Sequence, residues 1–218
     1  MSEGLRRATI DDVPAILALR DRLRLRPGGE DRRGGFLLGC DAERYAAFIA
    51  HAEVTVMDRG PGLSGFAIAL PDPVLRASEV WQRRGAIRWF DGAGEPPPGE
   101  RIAYFEQLAL DPDAPRCHGP ALALAAATDL LATGHVHLFA TLLQAPVRNA
   151  ASLPLLEAVG ARAVGLVEEE YAGIGAVVSA LHHLHLPETA ATLARAPLWR
   201  RLSATVARLR RSDTDRAA

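Results

Sequence analysis

One short segment has residue types suited to holding an anion. Arg116-Cys-His-Gly-Pro-Ala121 stands between a strand-like run and an alanine-rich run of helical composition. Small residues at such a junction let backbone N–H groups turn toward an anion at the positive end of the helix dipole. Pro120 lacks an N–H, which matters little in the first helical turn but narrows the set of donors. The segment predicts a phosphate-binding turn; conformational need alone is the alternative reason for its glycine and proline.

A carboxylate precedes this segment on the strand-like run Ile102 to Leu110. Side chains of a strand alternate between faces, so Glu106 shares a face with Tyr104 and Leu108. A carboxylate on a strand that leads into an anion site is a candidate general base, acting through a water molecule. The alternative is a strand carboxylate paired with an arginine.

The composition excludes several classes of enzyme. All 25 basic residues are arginine, so no lysine exists for a Schiff base or for a phosphate-loop ATPase. Gly173-Ile-Gly175 lacks the third glycine of a dinucleotide fingerprint, and Gly62-Leu-Ser-Gly65 lacks the spacing of a nucleophile elbow. A Rossmann reductase and a serine hydrolase are therefore disfavoured.

Metal binding and secretion are also disfavoured. His182, His183 and His185 form one group, and His135 and His137 another on one strand face, but neither has the carboxylate or cysteine neighbours typical of metal sites. Two cysteines far apart, Cys40 and Cys117, make no disulfide framework. The acidic N-terminus is unlike a signal peptide. We expect a cytoplasmic protein without a bound metal or a membrane span.

The order of predicted elements is mixed. A first helix begins after Asp11 or Asp12, and Asp41 caps a second. Residues 54–57 and 66–70 flank turn residues and predict an antiparallel hairpin. Proline-rich residues 71–99 predict a surface excursion with a short helix near 80–82. The remaining predicted strands are 5–10, 102–110, 136–143, 161–167 and 171–181, and the remaining helices are 120–133 and 150–159.

The C-terminal segment from Arg195 is strongly basic. It has seven arginines against two aspartates, a local charge of +5. Its apolar residues recur at helical spacing. The pattern predicts a solvated helix docked on the domain, and a dimer contact or an anionic partner such as a membrane surface is the alternative.

The anion-binding segment occurs within a larger known pattern. Gln107-Leu-Ala-Leu-Asp-Pro112 precedes Arg116-x-x-Gly119-x-Ala121, and Arg148-Asn149-Ala-Ala-Ser152 and Leu155-Leu-Glu-Ala-Val-Gly160 follow it. This arrangement resembles the GNAT N-acetyltransferase superfamily, in which Gln/Arg-x-x-Gly-x-Gly/Ala follows a strand and an Asn opens the next helix. The resemblance extends over most of the chain apart from residues 71–99 and the basic tail.

The resemblance implies a fold and a cosubstrate. The fold is α/β (α+β), with a mixed, mainly antiparallel sheet flanked by helices and splayed between its fourth and fifth strands, 102–110 and 136–143. Acetyl-CoA would lie in that opening, with its pantetheine arm paired to the backbone of the first strand and its pyrophosphate on the turn. The implied binding residues are Leu108, Ala109, Leu110, Arg116, Cys117, His118, Gly119, Pro120, Ala121 and Asn149.

The activity implied is transfer of an acetyl group from acetyl-CoA to a primary amine, directly within a ternary complex, with Glu106 as catalytic base. Family members often carry a tyrosine acid where this chain has Leu156, and a Phe where it has Ala161, so a tyrosine acid from that helix is in doubt. The alternative is a catalytically weak or inactive acyl-CoA-binding module with a regulatory or scaffolding role.

The acceptor stays open between a small amine, an antibiotic-like polyamine and a protein N-terminus. We predict an acetyl-CoA-binding domain over residues 1–186, with an insertion at 71–99, and a basic helical tail over 187–218. No nucleic-acid partner is expected, and a homodimer stays open. The acidic run Glu168-Glu-Glu170 predicts a solvated strand end or an attraction for a cationic acceptor. Phe36-Leu-Leu38, among glycines, predicts a lid over the acceptor site or a plug in the core.

Overall fold

The computed structural model describes residues 4–25, 30–31, 35–60, 62–171 and 173–214. The strands are β1 (Leu5–Arg7), β2 (Glu30–Asp31), β3 (Glu53–Arg59), β4 (Gly62–Leu70), β5 (Ile87–Trp89), β6 (Ile102–Leu110), β7 (His137–Ala145), β8 (Arg148–Asn149), β9 (Arg162–Tyr171) and β10 (Gly175–His185). The helices are α1 (Val13–Arg22), α2 (Ala42–His51), α3 (Asp72–Arg76), α4 (Glu79–Gln82), α5 (His118–Ala132), α6 (Leu153–Ala158), α7 (Leu186–Arg195) and α8 (Pro197–Thr214).

Eight of the strands form one sheet, in the order β1-β3-β4-β6-β7-β10-β9-β5, and β2 pairs separately with β8. Every pair in the large sheet is antiparallel except β6 and β7, which are parallel. The mixed, mainly antiparallel sheet and the hairpin of β3 and β4 are as the sequence predicts.

The parallel pair is short. Its registered residues run from Ile102 opposite His137 to Phe105 opposite Ala140. Both strands continue beyond this pair, to Leu110 and Ala145. Over residues 106–110 and 141–145 the two strands are not paired with each other. On its other edge β6 pairs with β4, and the register passes from Ile68 opposite Gln107 to Ala69 opposite Phe105. The extra residue on β6 makes a β-bulge at Glu106, which bends the strand where the parallel pairing ends.

Helices cover both faces of the sheet. On one face α1 and α2 contribute Ile16, Tyr45 and Phe48 to a core that includes Phe66 of β4. On the other face α5 contributes Leu122 and small alanines that pack on β1, β3 and β4. Asp41 caps α2 as predicted, since its carboxylate accepts the N–H of Arg44 at 2.8 Å.

Helix α1 begins at Val13, directly after Asp12, as predicted, but the predicted side-chain cap is absent. A 3-10 turn at Ile10–Asp12 precedes the helix and follows Thr9. Asp12 does not cap from outside: its carboxylate accepts the Thr9 N–H at 2.7 Å and binds the Arg6 guanidinium at 2.7 and 2.8 Å. The ion pair with β1 decides the role of this carboxylate, and the sequence pattern did not show it.

Residues 71–99 are more than a surface excursion, and that prediction is wrong in two places. Leu75 of α3 is buried in the main core. Ile87–Trp89 form β5, which pairs with Val167 to Gly165 of β9 at the edge of the sheet. The strand was not predicted because it has only three residues and lies in a proline-rich segment.

Other differences concern the ends of elements. Helix α6 begins at Leu153, later than predicted, and Tyr171 ends β9 where it was predicted to open the next strand. The irregular segment 26–40 contains β2, whose Glu30 and Asp31 pair in parallel with Arg148 and Asn149. The rest of its glycine-rich part, residues 26–29 and 32–34, lies outside the described residues.

The basic C-terminal segment forms α7 and α8. Val206 and Leu209 of α8 are buried against Leu122 and Ala125 of α5. Arg210 donates to both carboxylate oxygens of Asp129 on α5, at 3.0 and 2.7 Å. These two residues of the apolar stripe are therefore covered within the chain, as in a docked helix. No helix among the described residues is long and apolar enough to cross a membrane.

Candidate active site

A cavity of about 450 Å³ is lined by β6 and β7 beyond the end of their parallel pairing. Its lining includes Glu106, Gln107 and Leu108 of β6 and Thr141, Leu142 and Leu143 of β7, which are the unpaired second halves of the two strands. One wall is built from α5, α6 and the C-terminal helices. The opposite wall is built from residues 36–38, from segment 80–96 and from β9.

Glu106 lies at the bulge and lines the cavity. Its carboxylate has no hydrogen-bond or ion-pair partner among the described residues. Burial raises its pKa, Glu169 adds to the rise, and the nearby guanidiniums of Arg44 and Arg83 oppose it. A half-buried, unpaired carboxylate with a raised pKa is a stronger base than an ordinary carboxylate. The predicted alternative, a carboxylate tied to an arginine, is not what the structure has.

Glu169, by contrast, is fully engaged. Its Oε1 accepts from Arg83 Nη1 at 2.5 Å and its Oε2 accepts from the Tyr171 hydroxyl at 3.0 Å. Arg83 also donates to that hydroxyl oxygen at 3.0 Å. Burial and Glu169 raise the pKa of Tyr171. This cluster holds β9 to the turn after α4 on the wall opposite the helices.

Two further polar groups lie next to Glu106. The Tyr104 hydroxyl and Thr141 Oγ1 share a hydrogen bond of 2.5 Å across β6 and β7, and burial raises the pKa of Tyr104. Behind the bulge the Tyr45 hydroxyl donates to Gln107 Oε1 at 3.0 Å, and Gln107 Nε2 donates to Cys40 Sγ at 3.3 Å. Burial raises the pKa of the Cys40 thiol, so this thiol is protonated and a poor nucleophile at neutral pH.

The predicted pantetheine-binding residues occupy the last part of β6. Leu108, Ala109 and Leu110 pair with Ala67, Phe66 and Gly65 of β4 on one edge. Their other edge faces away from β4 and is not paired with β7. The close approach of β4 needs a glycine, because a Cβ on Gly65 would lie 2.6 Å from the Ala109 carbonyl oxygen. The open edge is therefore held firmly from behind.

The predicted anion-binding turn leads into α5, which starts at His118, earlier than predicted. The His118 N–H donates to the Pro115 carbonyl at 2.9 Å, and the Ala121 N–H donates to the Cys117 carbonyl at 3.1 Å. Pro120 has no N–H. Of residues 117–121, only Cys117 and Gly119 therefore have an N–H without a hydrogen-bond partner among the described residues. Arg116 and Cys117 are exposed, and Gly119 is buried.

The turn is anchored from α1. Arg22 donates to both carboxylate oxygens of the buried Asp111, at 2.6 and 3.3 Å, and Asp111 also accepts the Asp113 N–H at 2.9 Å. The ring of His118 is buried and shares a 3.3 Å hydrogen bond with Ser64. Its side chain therefore packs into the core, and the turn offers backbone donors and Arg116.

Asn149 lies at the cavity, in β8. It does not open the following helix, because its Oδ1 accepts the Ala151 N–H at 3.2 Å in a turn before α6. Leu156, at the position of the expected tyrosine, is on α6 and lines the cavity with an apolar side chain.

Segment 80–96 supplies cavity residues that the sequence did not show. Trp81, Arg83, Arg84 and Trp89 all line it. The alternation of Glu169 and Tyr171 on one face of β9 was a usable signal, but nothing local to Arg83 predicts a partner so far along the chain.

The histidines lie at the closed end of β7 and β10. His135 is not in a strand as predicted; it is buried before β7, and its Nε2 accepts the Asp72 N–H at 3.0 Å. His137 shares a 2.9 Å hydrogen bond with His183 and another with Glu100. Among the described residues no group of three His, Cys, Asp or Glu side chains is placed to hold a metal ion.

Comparison with known proteins gives a fold. The chain matches no protein-family model and no curated protein. It is similar to the solved ribosomal-protein-S18-alanine N-acetyltransferase of Escherichia coli, at TM-score 0.57 and 16% identity, over 85% of this chain and 94% of that one. Arabidopsis thaliana NAA60, solved with a bisubstrate analogue, gives TM-score 0.57 and 14% identity over 84% and 98%. Salmonella typhimurium yncA, solved with its cofactor acetyl-CoA, gives 0.56 and 14% over 85% and 95%.

Proposed function

We propose that this chain, which has the fold of the GNAT N-acetyltransferases, transfers an acetyl group from acetyl-CoA to a primary amine in a ternary complex. The observation that carries the proposal is the unpaired Glu106 carboxylate at the bulge, in the cavity between β6 and β7. There a base lies beside a strand edge whose backbone groups are free to bind a ligand.

The residues present fit acetyl-CoA. The open edge of Leu108, Ala109 and Leu110 offers backbone groups to the amides of the pantetheine arm. Cys117 and Gly119 offer N–H groups at the start of α5 to the pyrophosphate, with the Arg116 guanidinium beside them. Asn149 lies at the cavity to meet the arm, and apolar residues of α5 and α6 line the space between.

Glu106 accepts the amine proton in the proposed reaction, through a water molecule. The amine nitrogen then attacks the thioester carbonyl carbon, and an N–H on the open edge of β6 stabilises the developing oxyanion. A C–N bond forms, the C–S bond breaks, and the thiolate leaves. The attacking nitrogen loses its second proton as the amide forms. Because Leu156 supplies no proton, this second proton passes through water to the sulfur. Cys40 is protonated and Cys117 is in the turn, so neither thiol supports a covalent intermediate.

A second function is favoured by two observations: the acid position is Leu156, and the turn offers fewer amides than expected. Both fit an acyl-CoA-binding module that turns over slowly or not at all. Titration calorimetry with acetyl-CoA and release of CoA across an amine panel separate the two. Binding with turnover supports the transferase, binding without turnover supports the module, and no binding contradicts both.

A further inference from the structure

We infer that the acceptor is a primary amine with a single positive charge and a bulky apolar or aromatic group beside it. The inference rests on the proposed function, because it concerns the wall of the same cavity opposite α5 and α6. A free amine and a peptide N-terminus can both have this chemistry.

The wall next to Glu106 is aromatic and apolar. Trp81, Ile87 and Trp89 come from residues 80–89, and Leu37 and Leu38 come from the segment before α2, whose Phe36 is held in the core by Phe66. Trp89 packs edge-on to Phe139 of β7, with ring centroids 6.4 Å apart, which fixes the wall against the sheet. An apolar group buried on such a surface gains affinity in proportion to the area removed from water.

The charges of this wall suit one ammonium group and disfavour a second. Glu106 is the carboxylate without a partner, whereas both oxygens of Glu169 are engaged by Arg83 and Tyr171. Arg84 adds a guanidinium, whose nearest carboxylate oxygen is Glu95 Oε1 at 3.6 Å. A second ammonium would therefore meet Arg83 and Arg84 rather than a free carboxylate.

Trp81 is not free to bind a ligand cation. The guanidinium carbons of Arg76 and Arg84 lie 4.7 and 4.4 Å from its ring centroid. Its negative π-face is thus already used by two cations. The ligand ammonium is left to Glu106, and the tryptophans contribute apolar area.

The test measures acceptor binding and turnover with the folded full chain and acetyl-CoA. The probes are 2-phenylethylamine, ethylamine, 1,4-diaminobutane and the dipeptide amide Phe-Gly-NH₂. We expect kcat/KM for 2-phenylethylamine to exceed that for ethylamine by about 10²-fold and that for the diamine by at least about 10-fold. Preference for Phe-Gly-NH₂ over the free amine identifies a peptide N-terminus as the source, and the reverse preference identifies a small amine.

Binding of each amine in the presence of CoA is followed by the fluorescence of the tryptophans, since Trp81, Trp89 and Trp199 all line the cavity. This measurement keeps the acceptor preference separate from the activity. If no amine is acetylated but 2-phenylethylamine still binds more tightly than the diamine, the transferase fails, and only the preference of this wall for a singly charged apolar amine stands. If the diamine or ethylamine binds as tightly as 2-phenylethylamine, or no amine binds, the inference is overturned.

Arg84→Gln tests the charge argument. We expect the preference for 2-phenylethylamine over the diamine to fall about 5-fold or more, because one repelling charge is removed. Arg88→Gln is the matched control, since Arg88 is on β5, is exposed, pairs with Glu168 at 3.6 Å and is not among the residues that line the cavity. An unchanged preference in Arg84→Gln at an unchanged melting temperature contradicts the argument.

Discussion

The two walls of the cavity are built in different ways. The wall proposed for acetyl-CoA uses backbone groups of one nearly continuous stretch, from the end of β6 to the first turn of α5. The wall proposed for the acceptor uses side chains from residues far apart in sequence, and Arg83 with Glu169 is the clearest pair. A site built from backbone groups of one stretch can therefore be found from a local motif, whereas a site built from distant side chains depends on tertiary packing.

Gly119→Glu should disrupt the wall proposed for acetyl-CoA and leave the wall proposed for the acceptor unchanged. We expect acetyl-CoA binding to weaken by more than about 100-fold, because a carboxylate would stand where the pyrophosphate approaches the amides. Calorimetry on the folded variant measures this. Gly119→Ala is the control, since its Cβ would meet only Leu110 Cδ2, at an ordinary 3.7 Å, and it should still bind. Unchanged affinity in the glutamate variant would remove the anion site from this turn.

Glu106→Gln should impair proton transfer and leave the wall proposed for acetyl-CoA intact. We expect turnover to fall by about 10²–10⁴-fold with acetyl-CoA affinity unchanged. Since burial raises the pKa of Glu106, activity should fall with decreasing pH through a pKa above that of an ordinary carboxyl, and this limb should disappear in the variant.

Burial also makes ionisation of Glu106 oppose folding, because the raised pKa means that the folded state holds this proton more tightly than the unfolded state. The Glu106→Gln variant should therefore have a melting temperature no lower than that of the unmodified protein. Wild-type turnover at every pH would show that the amine arrives neutral or that another group, such as Tyr171, takes the proton.

Phe36 and Leu38 sharpen the description of the second wall. The Phe36 ring stacks on Phe66 at 6.2 Å, and its backbone is hydrogen-bonded to Leu23 and Leu25 at 2.9 Å. We expect Phe36→Ala to lose about 3 kcal/mol of stability with acceptor kinetics retained below its melting point. Leu38 is 44% exposed and lines the cavity.

Leu38→Ala should therefore raise the acceptor KM by about 3-fold to 10-fold with little change in melting temperature. Thermal unfolding and acceptor kinetics on both variants decide between a plug at Phe36 and a mobile lid. A lid over the whole triplet would instead make Phe36→Ala a kinetic variant.

The smallest effect is expected for a change at the closed end of β7 and β10. Substitution of His183 there should affect neither wall of the cavity. Burial, with the neighbouring His137 and His185, lowers the pKa of His183 to about 4. An unfolded histidine titrates near 6.5, so the unfolded state takes up the proton first, and stability should be lost as pH falls from about 6.5 to 4. The loss should be about 2 kcal/mol once solvent screening of this half-buried ring is allowed for. His183→Gln should flatten this slope, while exposed His51→Gln should not. Unfolding at several pH values measures it.

Much of the scaffold followed from the sequence for local reasons. The limits of β6, the Asp41 cap and the hairpin of β3 and β4 depend on residues close together in the chain, and the predictions there were confirmed. The predicted start of α1 after Asp12 was confirmed, but the Asp12 side chain pairs with Arg6 and does not cap the helix. The binding residues, the division of the chain at residue 186, the cytoplasmic location and a homodimer stay predictions.

The acceptor wall was harder to predict. The sequence identified Glu106 and the acidic run of β9, but not that Glu106 would be unpaired while Glu169 would be held by Arg83. That outcome depends on where β5 pairs, and a three-residue strand within a proline-rich segment has almost no periodic signal.

The position of β5 also affects the order in which the protein can be completed. β5 is made before β6, yet among the described residues its one partner in the sheet is β9, more than seventy residues further along the chain. During synthesis this strand must wait unpaired until the last third of the chain has emerged. It should be the last part of the sheet to form and, at an edge and only three residues long, the first to exchange its amide hydrogens. Hydrogen exchange should therefore show that the acceptor wall opens while the rest of the sheet stays closed; equal protection of β5 and β6 would contradict this.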